Sequence, residues 1–140
     1  MKKKILTDGQ LELKRQKYFS ESGFLAELIS SKYNDLPFEN IHSYMVKIKK
    51  GFARANHYHL KKKEWITAVW AETELKLKNT ETGETKEYLL DFEEKEQHSI
   101  VYIPPKWAHS VKAINNDSVV LVFSVTPEDK EDTYKYNVQL

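Results

Sequence analysis

Apolar and polar positions alternate in steps of two along much of this chain. In YMVKIKK, Tyr44, Val46 and Ile48 alternate with Lys47 and Lys49; in ETELKLKN, Leu75 and Leu77 alternate with Glu74, Lys76 and Lys78. Successive strand residues point to opposite faces, so these runs predict strands with one buried and one wet face. SIVYIPP and SVVLVFSV are rich in β-branched and aromatic residues, and KAINNDS between them supplies turn chemistry. Gly83, in the polar tip NTETGETKEY, predicts a hairpin. SGFLAELISSKYNDLP reads two ways: Phe24, Leu25, Leu28 and Ile29 fit a short helix, whereas Phe24 and Leu28 also fit a strand. Many short antiparallel strands with turns predict an all-β sandwich or barrel, and a jelly roll is one way to manage its sheet edges.

A length of 140 residues suits one domain with a single core. The formal net charge of +1 gives no field to draw the chain onto nucleic acid, so a small molecule or a protein is the expected partner. MKKKILTDGQ is basic, but only Ile5 and Leu6 follow before polar residues return, which is too little for a signal peptide. No apolar run approaches a membrane span, and a cytoplasmic location is expected. With no cysteine, any bound metal must use His and carboxylate.

The chemistry concentrates in HYHLKKKE. His57 and His59 are two apart, so on a strand their imidazoles aim at one point from one side. Glu64 follows a tight Lys-rich connection and can approach that point from the next strand. Parity then predicts that Glu64, Ile66, Ala68 and Trp70 share the inner face. IPPKWAHS adds an apolar strand, a Pro-Pro break and His109, which can return across the sandwich to complete a set of three His and one Glu. Such a nitrogen and oxygen set suits Zn, Fe, Mn or Ni.

These residues resemble the cupin superfamily. Gly51, His57, His59 and Glu64 fall at the spacings of its first motif, over about 51–71, and Pro104 to His109 approximate its second, over about 98–115. Ala71 and Lys106 stand where the two motifs carry Gly, and Ala113 where the second ends in Asn. The resemblance implies a double-stranded β-helix, the jelly-roll cupin barrel, over residues 1–140 with a short N-terminal extension, and a divalent metal at His57, His59, Glu64 and His109. SESGFLAEL, with Gly23 and Glu27, is similar to the entry segment of sugar-nucleotide cupins. RANHYH is similar to the Arg-Gly-x-His of dTDP-4-dehydrorhamnose 3,5-epimerases and dTDP-sugar 3,4-ketoisomerases, with Ala55 in place of Gly. TPEDKEDTYKYNV resembles the end of the cupin domain in capsular-polysaccharide reductase-epimerases.

What this implies is an isomerase or epimerase of a nucleotide-linked 4-keto-6-deoxy sugar in surface-polysaccharide biosynthesis, active as a homodimer. An Fe(II)-dependent dioxygenase and a non-catalytic sugar-binding cupin stand as alternatives, because the fold does not dictate the chemistry. In metal-free relatives the counterpart of His57 is the base, but a histidine bound to metal through its lone pair cannot also take a proton there. Tyr44, Tyr102 and His98 are then the candidate bases, while parity puts Tyr58 on the opposite face. Arg54 is the candidate diphosphate contact, although it needs a bulge between Gly51 and Asn56 to turn inward. Lys61 and Trp107 complete the expected substrate contacts, at the pocket mouth and by stacking.

Overall fold

The computed structural model describes residues 11–93, 96–127 and 129–138. Among them the regular structure is β throughout, apart from one 3-10 turn at Lys130–Asp132, and no helix is long and apolar enough to cross a membrane. The strands are β1 (Glu12–Ser20), β2 (Gly23–Ala26), β3 (His42–Ile48), β4 (Ala53–Tyr58), β5 (Glu64–Trp70), β6 (Glu72–Asn79), β7 (Thr85–Asp91), β8 (Gln97–Ile103), β9 (Trp107–Ala113), β10 (Ser118–Ser124) and β11 (Tyr134–Lys135).

The pairing is nested: β6 with β7, β5 with β8, β4 with β9 and β3 with β10, all antiparallel. This is one long hairpin with its tip at the Gly83 turn, rolled so that β5 also meets β10 and β6 also meets β9. Two sheets result, ordered β2-β1-β8-β5-β10-β3 and β11-β4-β9-β6-β7. That order is a jelly roll.

The alternating sequence explains which face is buried. Leu75 and Leu77 of β6 meet Ile66 and Ala68 of β5, Val101 and Ile103 of β8 and Val120 and Val122 of β10 in the core between the sheets. A second cluster lies on the outer face of the larger sheet, where Leu13, Trp65, Ile100 and Phe123 are covered by Leu28, Ile29, Leu36 and Ile41 of the segment entering β3. Arg15 pins this cover. Its guanidinium holds Asp35 through two bonds of 2.7 and 2.6 Å, donates to the Leu28 carbonyl and stacks 4.1 Å from the Tyr33 ring.

Two local readings are settled by pairing. Phe24 and Leu25 lie in a strand rather than a helix, because β1 offers an open edge opposite them, with Phe19 paired to Phe24. Trp70 does not share the inner face with Glu64, Ile66 and Ala68. The β5–β10 register slips between Val119 and Val120, which pair with Trp70 and Ala68, and the extra residue reverses the parity and leaves Trp70 58% exposed.

The positions that depart from Gly in the cupin patterns share one backbone state. Ala55, Ala71 and Lys106 adopt φ of 70°, 62° and 73°, the left-handed region that glycine occupies without steric cost. The turns persist here with side chains in place.

Candidate metal centre

β4 and β9 bring the first two histidines together. Arg54 pairs with Val111, Ala55 with Ser110 and His57 with His109, so the register slips by one residue at Asn56. Ala55 and Asn56 both take positive φ there, at 70° and 55°. This bulge lets Arg54 and His57, three residues apart, face the same cavity. His59 lies just past the strand, and Glu64 opens β5 on the facing sheet.

One ligand atom from each of His57, His59, Glu64 and His109 lies within 4.8 Å of the other three. The ring centroids of His57 lie 4.9 Å from His59 and 4.8 Å from His109. Glu64 Oε1 is 3.2 Å from Nε2 of His59 and 3.4 Å from Nε2 of His109. The edge of a tetrahedron of donors at metal bond lengths near 2.1 Å is roughly 3.4 Å, so these separations fit one shared cation.

The second nitrogen of each of two rings is already engaged. His59 Nδ1 donates to the Asp132 carbonyl at 2.7 Å and His109 Nδ1 to that of Trp107 at 3.2 Å. In both rings the Nε2 lone pair is thereby directed at Glu64, the arrangement by which outer contacts orient metal-binding histidines. His59 Nε2 and Glu64 Oε1 are buried and make no hydrogen bond, an orphaned pair of donor atoms that a cation would satisfy. The other carboxylate oxygen is occupied: Tyr44 donates to Glu64 Oε2 at 3.0 Å, and Lys62 Nζ lies 3.4 Å from it.

The electrostatics follow from this crowding. Burial opposes the Glu64 carboxylate, but the close approach of His59, with His109 and the Lys62 ammonium beside it, holds its pKa far below the usual range. Burial likewise opposes the His59 cation, yet Glu64 and the Asp132 carbonyl outweigh it and raise the pKa above 6.5. In His109 burial prevails, so its pKa is lowered and the ring favours the neutral form that a metal requires.

The cluster opens on a cavity of about 230 Å³ between the sheets, with Tyr44, Arg54 and His57 on its polar side and Val46, Ile66, Ile103, Val111, Val120 and Val122 on its apolar side. Tyr102 and His98 are not brought to it. Both lie on the outer face of β8, where Tyr102 stacks at 5.0 Å on Trp65 and His98 Nε2 meets Thr67 Oγ1 at 2.6 Å. Trp107 is buried in the core and Lys61 lies on an exposed turn, so neither lines the cavity. Tyr58 faces outward against Tyr134 and Tyr136.

Two residues at the site escaped the sequence reading. Lys62 is buried beneath the Tyr44 ring, 5.3 Å from its centroid, and its even spacing from Glu64 was the available signal. Asp132 reaches the site from 68 residues beyond Glu64, and no local pattern marks it.

The family model described as the polysaccharide biosynthesis C-terminal domain matches residues 20–134. The comparison with curated proteins returned no match. Among solved structures, the capsular polysaccharide assembling protein CapF from Staphylococcus aureus superposes with a TM-score of 0.64 at 20% identity, over 89% of this chain and 34% of that one. This chain thus spans about a third of that protein's length. The dTDP-6-deoxy-D-glucose-3,5-epimerase RmlC from Legionella pneumophila, in complex with dTDP-4-keto-L-rhamnose, gives 0.72 at 17% identity, covering 86% and 69% of the two chains. The sugar 3,4-ketoisomerase QdtA from Thermoanaerobacterium thermosaccharolyticum, in complex with TDP, gives 0.71 at 19% identity, covering 91% and 90%.

Proposed function

The chain belongs to the polysaccharide biosynthesis C-terminal domain family, and from that premise we propose that it is a metal-dependent isomerase or epimerase of a nucleotide-linked 4-keto-6-deoxy sugar. The observation that carries this reading is the convergence of His57, His59, Glu64 and His109 on one wall of a cavity that Tyr44 and Arg54 also line. The likeness of the fold to that of RmlC and QdtA supports the substrate class.

The reaction requires a proton to leave a carbon beside a ketone and to return on the other face or at another carbon. A divalent cation held by the four residues supplies Lewis-acid polarisation of the keto oxygen when bound. Tyr44 is the group placed to carry the proton: its hydroxyl lies at the cavity wall, held by Glu64 Oε2. Arg54, turned inward by the bulge, offers a planar fork to diphosphate oxygens at the rim. At about 230 Å³ the cavity is smaller than the roughly 300–1,000 Å³ of pockets that enclose whole drug-sized ligands. One sugar ring fits inside, and the nucleotide lies outside across the mouth. The exposed Met45 and Trp70, on the uncovered part of the outer sheet face, suit a homodimer contact.

A second reading keeps the substrate and dispenses with the metal. His57 is the least buried of the four ligands and lines the cavity, so its ring can serve as the base. Incubation with dTDP- and UDP-linked 4-keto-6-deoxy sugars in D₂O, before and after chelation, separates the two. Deuterium entering C3 or C5 only with metal supports the first reading, and exchange that survives chelation supports the second. No exchange with any of these sugars would defeat both, and oxygen uptake dependent on added Fe(II) would replace them with a dioxygenase.

A further inference from the structure

Asp132 makes four hydrogen bonds to the turn between His59 and Glu64 and to the His59 ring. Its side chain is buried although it sits in a polar 3-10 turn near the end of the described chain. Its Oδ1 accepts from the amide of Leu60 at 2.9 Å, and its Oδ2 accepts from the amides of Lys61 and Lys62 at 3.2 and 3.1 Å. These three consecutive amides belong to the four-residue connection between His59 and Glu64. The carbonyl of the same residue accepts from His59 Nδ1 at 2.7 Å. One residue therefore grips both the turn and the ring at its start.

We infer that Asp132 is the positioning residue of the metal centre: it fixes the orientation and tautomer of His59 and the path of the turn that delivers Lys62 and Glu64. The inference rests on the proposed metal reading for its consequence and on geometry for its mechanism. A carboxylate presents two acceptor oxygens to three N–H groups; an asparagine amide would turn an NH₂ toward one or two of them, and donor would face donor. Releasing the turn frees the His59 ring to exchange tautomers, which removes the fixed Nε2 lone pair from Glu64. The 3-10 turn that carries Asp132 is independently braced, since Asp129 caps it by accepting from the Glu131 amide at 2.9 Å and from the Asp132 amide through its carbonyl at 3.1 Å. Asp132 is thus presented by a built element and not by a loose tail.

The test is calorimetric titration of the metal-free protein with Zn²⁺ alone, in wild type, Asp132→Asn, Asp132→Ala, Asp129→Ala and the surface control Lys130→Ala. Affinity is expected to fall about 10–100-fold for Asp132→Asn, the range typical of outer contacts to metal ligands. Asp129→Ala should lose less and Lys130→Ala nothing. Long-range ¹H–¹⁵N spectra of the metal-free protein, recorded over a pH series that extends until the His59 nitrogen shifts are those of a neutral ring, read the mechanism without metal. Wild type should show one His59 tautomer with the proton on Nδ1, and Asp132→Asn an exchanging mixture. Folded Asp132 variants with unchanged Zn²⁺ affinity, or with the wild-type tautomer retained, would overturn the inference. If Asp132→Ala does not fold, Asp132→Asn and Asp129→Ala carry the same comparison. A wild type that takes up no Zn²⁺ defeats the metal reading instead, and the tautomer spectra still decide the role of Asp132.

Discussion

Nε2 of His59 and Oε1 of Glu64 stand 3.2 Å apart, buried, and neither makes a hydrogen bond. Two such atoms facing one another stabilise the fold only if a proton or a cation lies between them. With a metal there, His109→Ala and Glu64→Gln should each lower affinity by about 100-fold or more, beyond the effect of outer contacts. Elemental analysis of the purified variants checks this: wild type should approach one metal per chain, and both variants should be depleted.

The same pair sets a pH dependence. The raised pKa of His59 means that its charged pairing with Glu64 stabilises the metal-free protein below the ordinary value of 6.5 and is lost as pH rises through the folded value. A metal must displace that proton, so metal affinity should rise with pH while the contribution of this pair to metal-free stability falls. Titrations in buffers of different ionisation enthalpy should report a proton released on binding near neutral pH. An affinity independent of pH would contradict the assignment.

Tyr44→Phe keeps the ring in the cavity wall and removes the hydroxyl that meets Glu64 Oε2. Metal content should hold, while deuterium wash-in slows by about 10²–10⁴-fold, the usual contribution of a positioned acid or base. A variant that exchanges at the wild-type rate shifts the proton transfer to another group.

Arg15 and Asp35 form a two-bond ion pair whose side chains are 1% and 8% exposed. Removing either partner leaves a buried charge alone, so Arg15→Met and Asp35→Asn should each cost about 3–5 kcal/mol. Urea unfolding measures it. The segment they hold covers Trp65 and Ile100, so the loss should appear as general destabilisation and not as a change in the metal cluster.

Ala71 has φ of 62° at the β5–β6 junction, far from the cluster at the other end of β5. A left-handed conformation costs an L-residue about 1–2 kcal/mol, and glycine returns about 0.4–1 kcal/mol of this as unfolded-state entropy. Ala71→Gly should therefore stabilise by about 0.5–1 kcal/mol, raising Tm by about 2–4 °C.

The sequence by itself determined the all-β class, the buried face of β3 and β6, and the local grouping of His57, His59 and Glu64. Period two in β3 and β6 is a direct record of which side meets the core, and His57, His59 and Glu64 lie close enough for strand geometry to relate them. His109 was legible through its spacing in a second motif. The hairpin at Gly83, the need for a bulge before His57 and the outward face of Tyr58 were legible for the same reason.

Only the tertiary structure decided the rest. The slip at Val119 and Val120 turned Trp70 outward, because a bulge depends on the partner strand and leaves no mark on the alternation of its own. The packing also placed Tyr102 on the outer face under the covering segment and His98 on that face against Thr67 and Phe92, and it brought Asp132 onto the His59 turn. Alternation is a property of one strand and survives in one dimension. Contacts between distant segments arise from how the long hairpin rolls, and packing fixes them only once both partners are in place.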